Sequence, residues 1–136
     1  MGNRPGLSEA EREVLKVLWD HGPGTVREIK ELLQDRGRRW AYTTVATLLQ
    51  RLGLKQYVVG DPSAVAHVYR AVVTRNELLE SRLKDTAEEL CDGRAAPLIL
   101  ALVQNSRLSV AEVARLRQML DQAAQSAGPA PKSETS

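Results

Sequence analysis

The sequence predicts a mainly α-helical chain with one small β-hairpin. Three helices and the hairpin make a first domain over residues 1–73, three more helices make a second over 74–124, and 125–136 read as a disordered tail. Three observations predict this. The pattern Ser/Thr-x-x-Glu occurs at Ser8–Glu11, Thr25–Glu28, Thr74–Glu77 and Ser109–Glu112, each time ahead of apolar residues at helical spacing. In such a box the hydroxyl accepts from the third backbone N–H and the carboxylate accepts from the cap's own N–H, so each copy marks a helix start. β-branched and aromatic residues gather in one stretch, 57–72, which Gly60-Asp61-Pro62-Ser63 interrupts with turn chemistry. The length of 136 residues suits one domain or two small ones, and 43% hydrophobic with 26% charged residues is ordinary globular composition.

The elements follow in order. The first helix, Glu9 to Asp20, carries Ala10, Val14, Leu15 and Leu18 as one apolar stripe, and His21-Gly22-Pro23-Gly24 stops it. The second, Val26 to Gln34, buries Val26, Ile29 and Leu33, and residues 35–39 form a turn. The third, Tyr42 to Leu52, points Val45, Leu48, Leu49 and Leu52 inward and Thr43, Thr44, Thr47, Gln50 and Arg51 outward. Tyr57–Val59 and Ala66–Val72 are the two strands; a lone hairpin is not stable in water, so it must lie on the helices. The fourth helix, Arg75 to Leu90, has a narrow stripe of Leu79, Leu83, Ala87 and Leu90 and ends at Asp92-Gly93. Pro97 sits near the start of a fifth, Leu98 to Gln104, which is apolar nearly all round. The sixth, Val110 to Gln122, offers Val110, Val113, Leu116 and Leu120, and Ser126 onward has a tail's composition.

Several function classes drop out. No apolar run approaches the roughly 18–20 residues that span a bilayer, and the N-terminus has no secretory h-region, so the expectation is a cytoplasmic protein without membrane insertion. One cysteine, Cys91, excludes an intramolecular disulfide framework and a cysteine-based zinc cage; it reads as a buried, inert thiol. His21, at a helix C-terminus, and His67, in a strand, share no metal-ligand spacing with Cys91, so no metal or cofactor is expected. There is no GxSxG, HExxH or P-loop, and the chain does not read as an enzyme. The net charge is only +2, but Arg27, Lys30, Arg36, Arg38, Arg39, Arg51 and Lys55 face just Glu28, Glu31 and Asp35 in that stretch. A local basic segment on a near-neutral chain suggests a focused contact with a polyanion.

The second half cannot cover its own apolar surface. About fifty residues in three helices do not bury a helix that is apolar all round. A second copy of the chain is the simplest cover, through a two-fold interface formed by Leu79, Leu83, Leu90, Leu98, Ile99, Leu102, Val113, Leu116 and Leu120. The first half has the order helix, helix, helix, strand, turn, strand, which is the winged helix-turn-helix arrangement. There the third helix enters the DNA major groove and the hairpin, or wing, lies beside it. The outward threonines suit that role: Thr43, Thr44 and Thr47 can bond phosphates or base edges, and their methyl groups can touch thymine. For Thr43 and Thr44 the alternative is helix capping. Arg38, Arg39 and Arg51 bracket the helix as phosphate ligands, and Arg70 of the second strand completes the candidate set. Of the two aromatic residues at the helix start, Trp40 is expected to pack and Tyr42 to meet the DNA backbone through its hydroxyl; Trp19 reads as core.

Residues Leu7–Trp19, Thr25–Ile29, Ala41–Leu52 and His67–Arg70 resemble the penicillinase-repressor (BlaI/MecI/CopY) family over about residues 7 to 122. The Leu18-Trp19 end of the first helix and the AYTTV–TLLQRL third helix carry the resemblance together. The resemblance implies a homodimeric winged-helix repressor of palindromic, double-stranded operator DNA, often of β-lactamase or other resistance genes. It also implies relief of repression when a membrane-bound sensor metalloprotease cuts the dimerisation domain. Three departures stand out. The family wing is basic and glycine-tipped, whereas Tyr57 to Val65 contains no Lys or Arg. The antibiotic-responsive members carry an Asn-Phe cleavage bond, and the pair aligned with it is Ala101-Leu102. The copper-responsive members end in a cysteine-rich tail, and this tail has no cysteine. The uncharged wing also favours a second function class, a winged-helix adaptor that binds proteins, which differs from a DNA binder in its weak response to salt.

Overall fold

Capping chemistry sets the helix starts in the computed structural model, which describes residues 4–62 and 66–126. The elements are α1 (Glu9–His21), β1 (Gly24–Thr25), α2 (Val26–Asp35), α3 (Tyr42–Leu54), β2 (Val58–Asp61), β3 (Val68–Ala71), α4 (Arg75–Cys91), α5 (Ala96–Asn105) and α6 (Val110–Ser126). All four Ser/Thr-x-x-Glu boxes close reciprocally. At α1, Glu11 N–H donates to Ser8 Oγ at 3.1 Å and Ser8 N–H donates to Glu11 Oε1 at 2.8 Å, and the same pairs form ahead of α2, α4 and α6. α3 and α5 start without such a box, because Ala41 and Ala95 at their N-caps have no side chain that can accept.

The expected hairpin is part of a larger sheet. β2 and β3 pair antiparallel, and β1 adds to the other edge of β3, giving the order β1-β3-β2. β1 has only two residues, a glycine and the cap of α2, so it carries no period-two signal to read. Gly60 and Asp61, expected in the turn, instead extend β2 opposite Tyr69 and Val68. Gly60 permits this because the Tyr69 ring lies over it: a Cβ at that position would stand 3.1 Å from Tyr69 Cε1. Three helices with this sheet form a winged helix-turn-helix fold.

The core lies where helical periodicity put it. Val14, Leu15, Leu18, Ile29, Leu33, Val45, Leu48, Leu49 and Leu52 are buried together with Tyr57, Val58 and Val73. Polar links tie its rim. Trp19 Nε1 donates to Val73 O at 2.8 Å, and the Arg75 guanidinium lies 5.3 Å from the Trp19 ring centroid. The Tyr57 hydroxyl donates to Pro5 O. Glu11 is only 2% exposed, and Lys55 Nζ donates to its Oε1 at 2.7 Å and to Gly6 O at 2.9 Å.

The chain forms two compact units, residues 1–83 and 84–136, with the division inside α4. The first turns of α4 belong to the first unit because Leu78 packs on its core and Arg75 bonds Asp20. In the second unit Ala87 alone is buried among the described residues, and α5 buries none. α6 runs to Ser126, so 125 and 126 are helical; the rest of the expected tail lies outside the described residues. Among the described residues, no helix is long and apolar enough to cross a membrane.

Candidate nucleic-acid interface

The candidate site grows from the burial of one side of α3. Val45, Leu48, Leu49 and Leu52 are buried against α1 and α2, which fixes the helix axis and its rotation. The opposite side is then turned to solvent: Tyr42, Thr43, Thr44, Thr47, Gln50 and Arg51 are all exposed. Thr43 and Thr44 do not cap α3, since the N-cap is Ala41. With no side-chain acceptor there, the first N–H groups of α3 and its dipole remain available to an anion.

Two depressions flank the helix. A shallow one of about 290 Å³ is lined by Thr43, Thr44, Thr47, Leu48 and Arg51. A groove of about 680 Å³ lies on the other flank. Tyr42, Ala46 and Gln50 of α3 form one wall, Thr25, Val26 and Arg27 at the start of α2 a second, and Ala66, His67 and Tyr69 a third. His67 meets the Tyr69 ring edge-on with centroids 6.3 Å apart.

The structure brings together Tyr42, Thr43, Thr44, Thr47 and Arg51 from the expected set. Arg39 is exposed just ahead of α3, and neither Arg39 nor Arg51 has an ion pair among the described residues. Arg38 is drawn back: its Nε lies 4.0 Å from Glu13 and its guanidinium covers the Trp40 ring at 5.8 Å. Trp40 is half-buried against the core, while Tyr42 is 53% exposed. Arg70 is not joined to this set. Strand alternation places it on the opposite face from Tyr69, where it lines a different groove with Trp19 and Arg75. The hairpin strand β2 contributes no cation.

Arg27, Gln50 and His67 join the site although none of them was among the expected DNA contacts. Gln50 had a signal, since it follows Tyr42 and Ala46 at i+8 and i+4. Arg27 had one too, as part of the basic segment, whereas His67 had none, because only the sheet's position against α2 and α3 brings it in. Two acids of the first unit are already engaged. The Arg75 and Arg36 guanidiniums hold the Asp20 carboxyl below its usual value, and the Thr25 N–H and hydroxyl do the same for Glu28. Among the described residues, no group of three His, Cys, Asp or Glu could hold a metal ion.

Of the expected dimer residues, Leu79, Leu83, Leu90, Ile99, Leu102, Leu116 and Leu120 are exposed in the single chain, and Leu98 and Val113 are half-buried. Ala101 and Leu102 are both exposed in the middle of α5.

The family model for the penicillinase repressor matches residues 7–122. The transcriptional regulator BlaI of Mycobacterium tuberculosis is 40% identical over 96 residues, which covers 68% of this chain and 69% of that protein. The penicillinase repressor of Bacillus licheniformis is 29% identical over 119 residues, covering 87% and 91%. The solution structure of the Bacillus licheniformis BlaI monomer in complex with the blaP half-operator has a TM-score of 0.47 and 28% identity, over 57% of this chain and 93% of that one. Since the family match spans most of its length, the chain belongs to the penicillinase-repressor family of transcriptional regulators, whose members are repressors and not enzymes.

Proposed function

We propose that this chain is a homodimeric repressor that reads palindromic operator DNA, with α3 in the major groove and the β2–β3 hairpin beside it. One observation carries the reading: four buried apolar residues pin α3 so that Thr43, Thr44, Thr47, Gln50 and Arg51 form one exposed polar face. Such a face on a rigid helix is what base readout requires. The second copy is argued from α5, which has no buried residue although Leu100 and Leu102 are 61% and 55% exposed. An apolar helix left bare calls for cover, and a two-fold interface supplies it symmetrically.

The test is selection from a random duplex library by the purified full chain at two salt concentrations. A palindrome with half-sites about one helical turn apart, bound with a steep loss of affinity in salt, is the expected result. No enrichment by folded protein, or binding indifferent to salt, overturns the reading in favour of a protein-binding adaptor.

Control by proteolysis is proposed with it. A membrane-bound sensor metalloprotease that cut Ala101–Leu102 would leave α5 as two pieces, each far shorter than the roughly 12–15 residues an isolated helix needs. The mass of repressor recovered from induced cells tests this. A fragment ending at Ala101 is expected, and an intact chain removes proteolysis from the reading.

A further inference from the structure

We propose that Gln50 is the base-reading residue at the centre of α3, selecting an A·T pair through adenine. The inference rests on the DNA-reading function and deepens it. At about 100° per residue, the direction opposite the middle of the buried set Val45, Leu48, Leu49 and Leu52 falls within about 30° of Thr43, Thr47, Gln50 and Leu54. Thr44 and Tyr42 lie about 90–110° away on either flank, where they meet the walls of the groove rather than its floor. Arg51, about 70° off, reaches a flank as well.

Chemistry separates the four central residues. Leu54 has no polar atom. A threonine offers one hydroxyl and a methyl group, enough for a single bond or an apolar touch. Gln50 alone holds a donor and an acceptor in one plane, the arrangement that bonds adenine N6 and N7 together. Its amide makes no hydrogen bond among the described residues, so it is not committed to the fold. It also stands on the groove wall that Arg27 and His67 complete. Two donors flanking the amide are placed to hold the sugar-phosphate strand next to the base that it reads.

The experiment is the same duplex selection run with wild type, Gln50→Ala and Gln50→Glu, with thermal melts to show that each exposed substitution leaves the fold intact. Wild type should enrich an A·T pair at one position of each half-site. Gln50→Ala should lose discrimination at that position alone, by roughly 5- to 150-fold. Gln50→Glu should shift the same position toward C·G, because a carboxylate accepts from cytosine N4. If either variant returns the wild-type motif unchanged, or binds all sequences more weakly by one common factor, Gln50 is not a base reader although the chain still reads DNA. A wild type that enriches no motif overturns the DNA-reading function itself, and this proposal with it.

Discussion

Replacing Lys55 with methionine isolates a buried charge. Glu11 is 2% exposed, and its Oε1 accepts from Lys55 Nζ at 2.7 Å and from Ser8 N–H at 2.8 Å. Burial pushes its carboxyl up, but the Lys55 hydrogen bond, the Ser8 N–H and the Lys55 charge outweigh that and hold it below the ordinary carboxylate range. Methionine keeps the length of the side chain and removes the cation. Breaking a fully buried pair in this way costs roughly 3–5 kcal/mol. The Lys55 side chain is 27% exposed, so water reaches the site and we expect about 2 kcal/mol, near 8–16 °C in Tm for a domain of this size. The pH dependence gives a second signature. In wild type the depressed carboxyl contributes stability that is present at neutral pH and lost as pH falls through its folded value. In Lys55→Met the carboxyl loses the lowering that Lys55 supplies while burial still pushes it up, so it protonates at a higher pH than in wild type and the variant loses less on acidification. The gap between the two proteins should be widest at pH 7 and narrow below about pH 5. Urea unfolding at fixed protein concentration measures it, because Trp19 and Trp40, the chain's two tryptophans, both pack against the core of the first unit and report on it. Adding Glu11→Gln should recover most of the loss. A deficit under about 0.5 kcal/mol at pH 7, or one that stays constant down to pH 4, would refute the argument, since that is how an exposed pair behaves.

Other expectations follow from the same geometry. Leu49, fully buried between α3 and the helices beneath it, should lose about 2–5 kcal/mol on truncation to alanine in the same urea assay, and a loss below 1 kcal/mol would mean that the site collapses around the void. Arg51→Ala should weaken binding to all duplexes and lower the salt slope by about one, measured by titration at several salt concentrations; an unchanged slope removes Arg51 from the phosphate contacts. Thr47→Ala should instead relax base preference with little change in the slope. Leu102→Asp should dissociate the proposed dimer in sedimentation while leaving the fluorescence melt of the first unit in place; a wild type that sediments as a monomer removes the dimer, and a dimer that persists in the variant places the interface elsewhere.

The helices and their seams were legible in the sequence because their determinants are local. Ser8 and Glu11 cap α1 across three residues, and Val45, Leu48, Leu49 and Leu52 share a side of α3 through the helical repeat alone. The exposed face with Thr43, Thr47 and Gln50 was readable for the same reason, since a helix that buries one side must present the other. Tertiary structure decided the rest, through partners far apart in the chain. Lys55 meets Glu11 across 44 residues and Trp19 meets Val73 across 54, and no local pattern encodes either pair. β1 exists only because β3 offers it an edge. The alternation of β3 says that Tyr69 and Arg70 point oppositely, but which of them faces α3 depends on how the sheet lies on the helices. Local hydrogen bonds and periodicity thus determined the parts and their apolar sides, whereas long-range packing decided which polar groups are tied into the fold and which stand free at the surface.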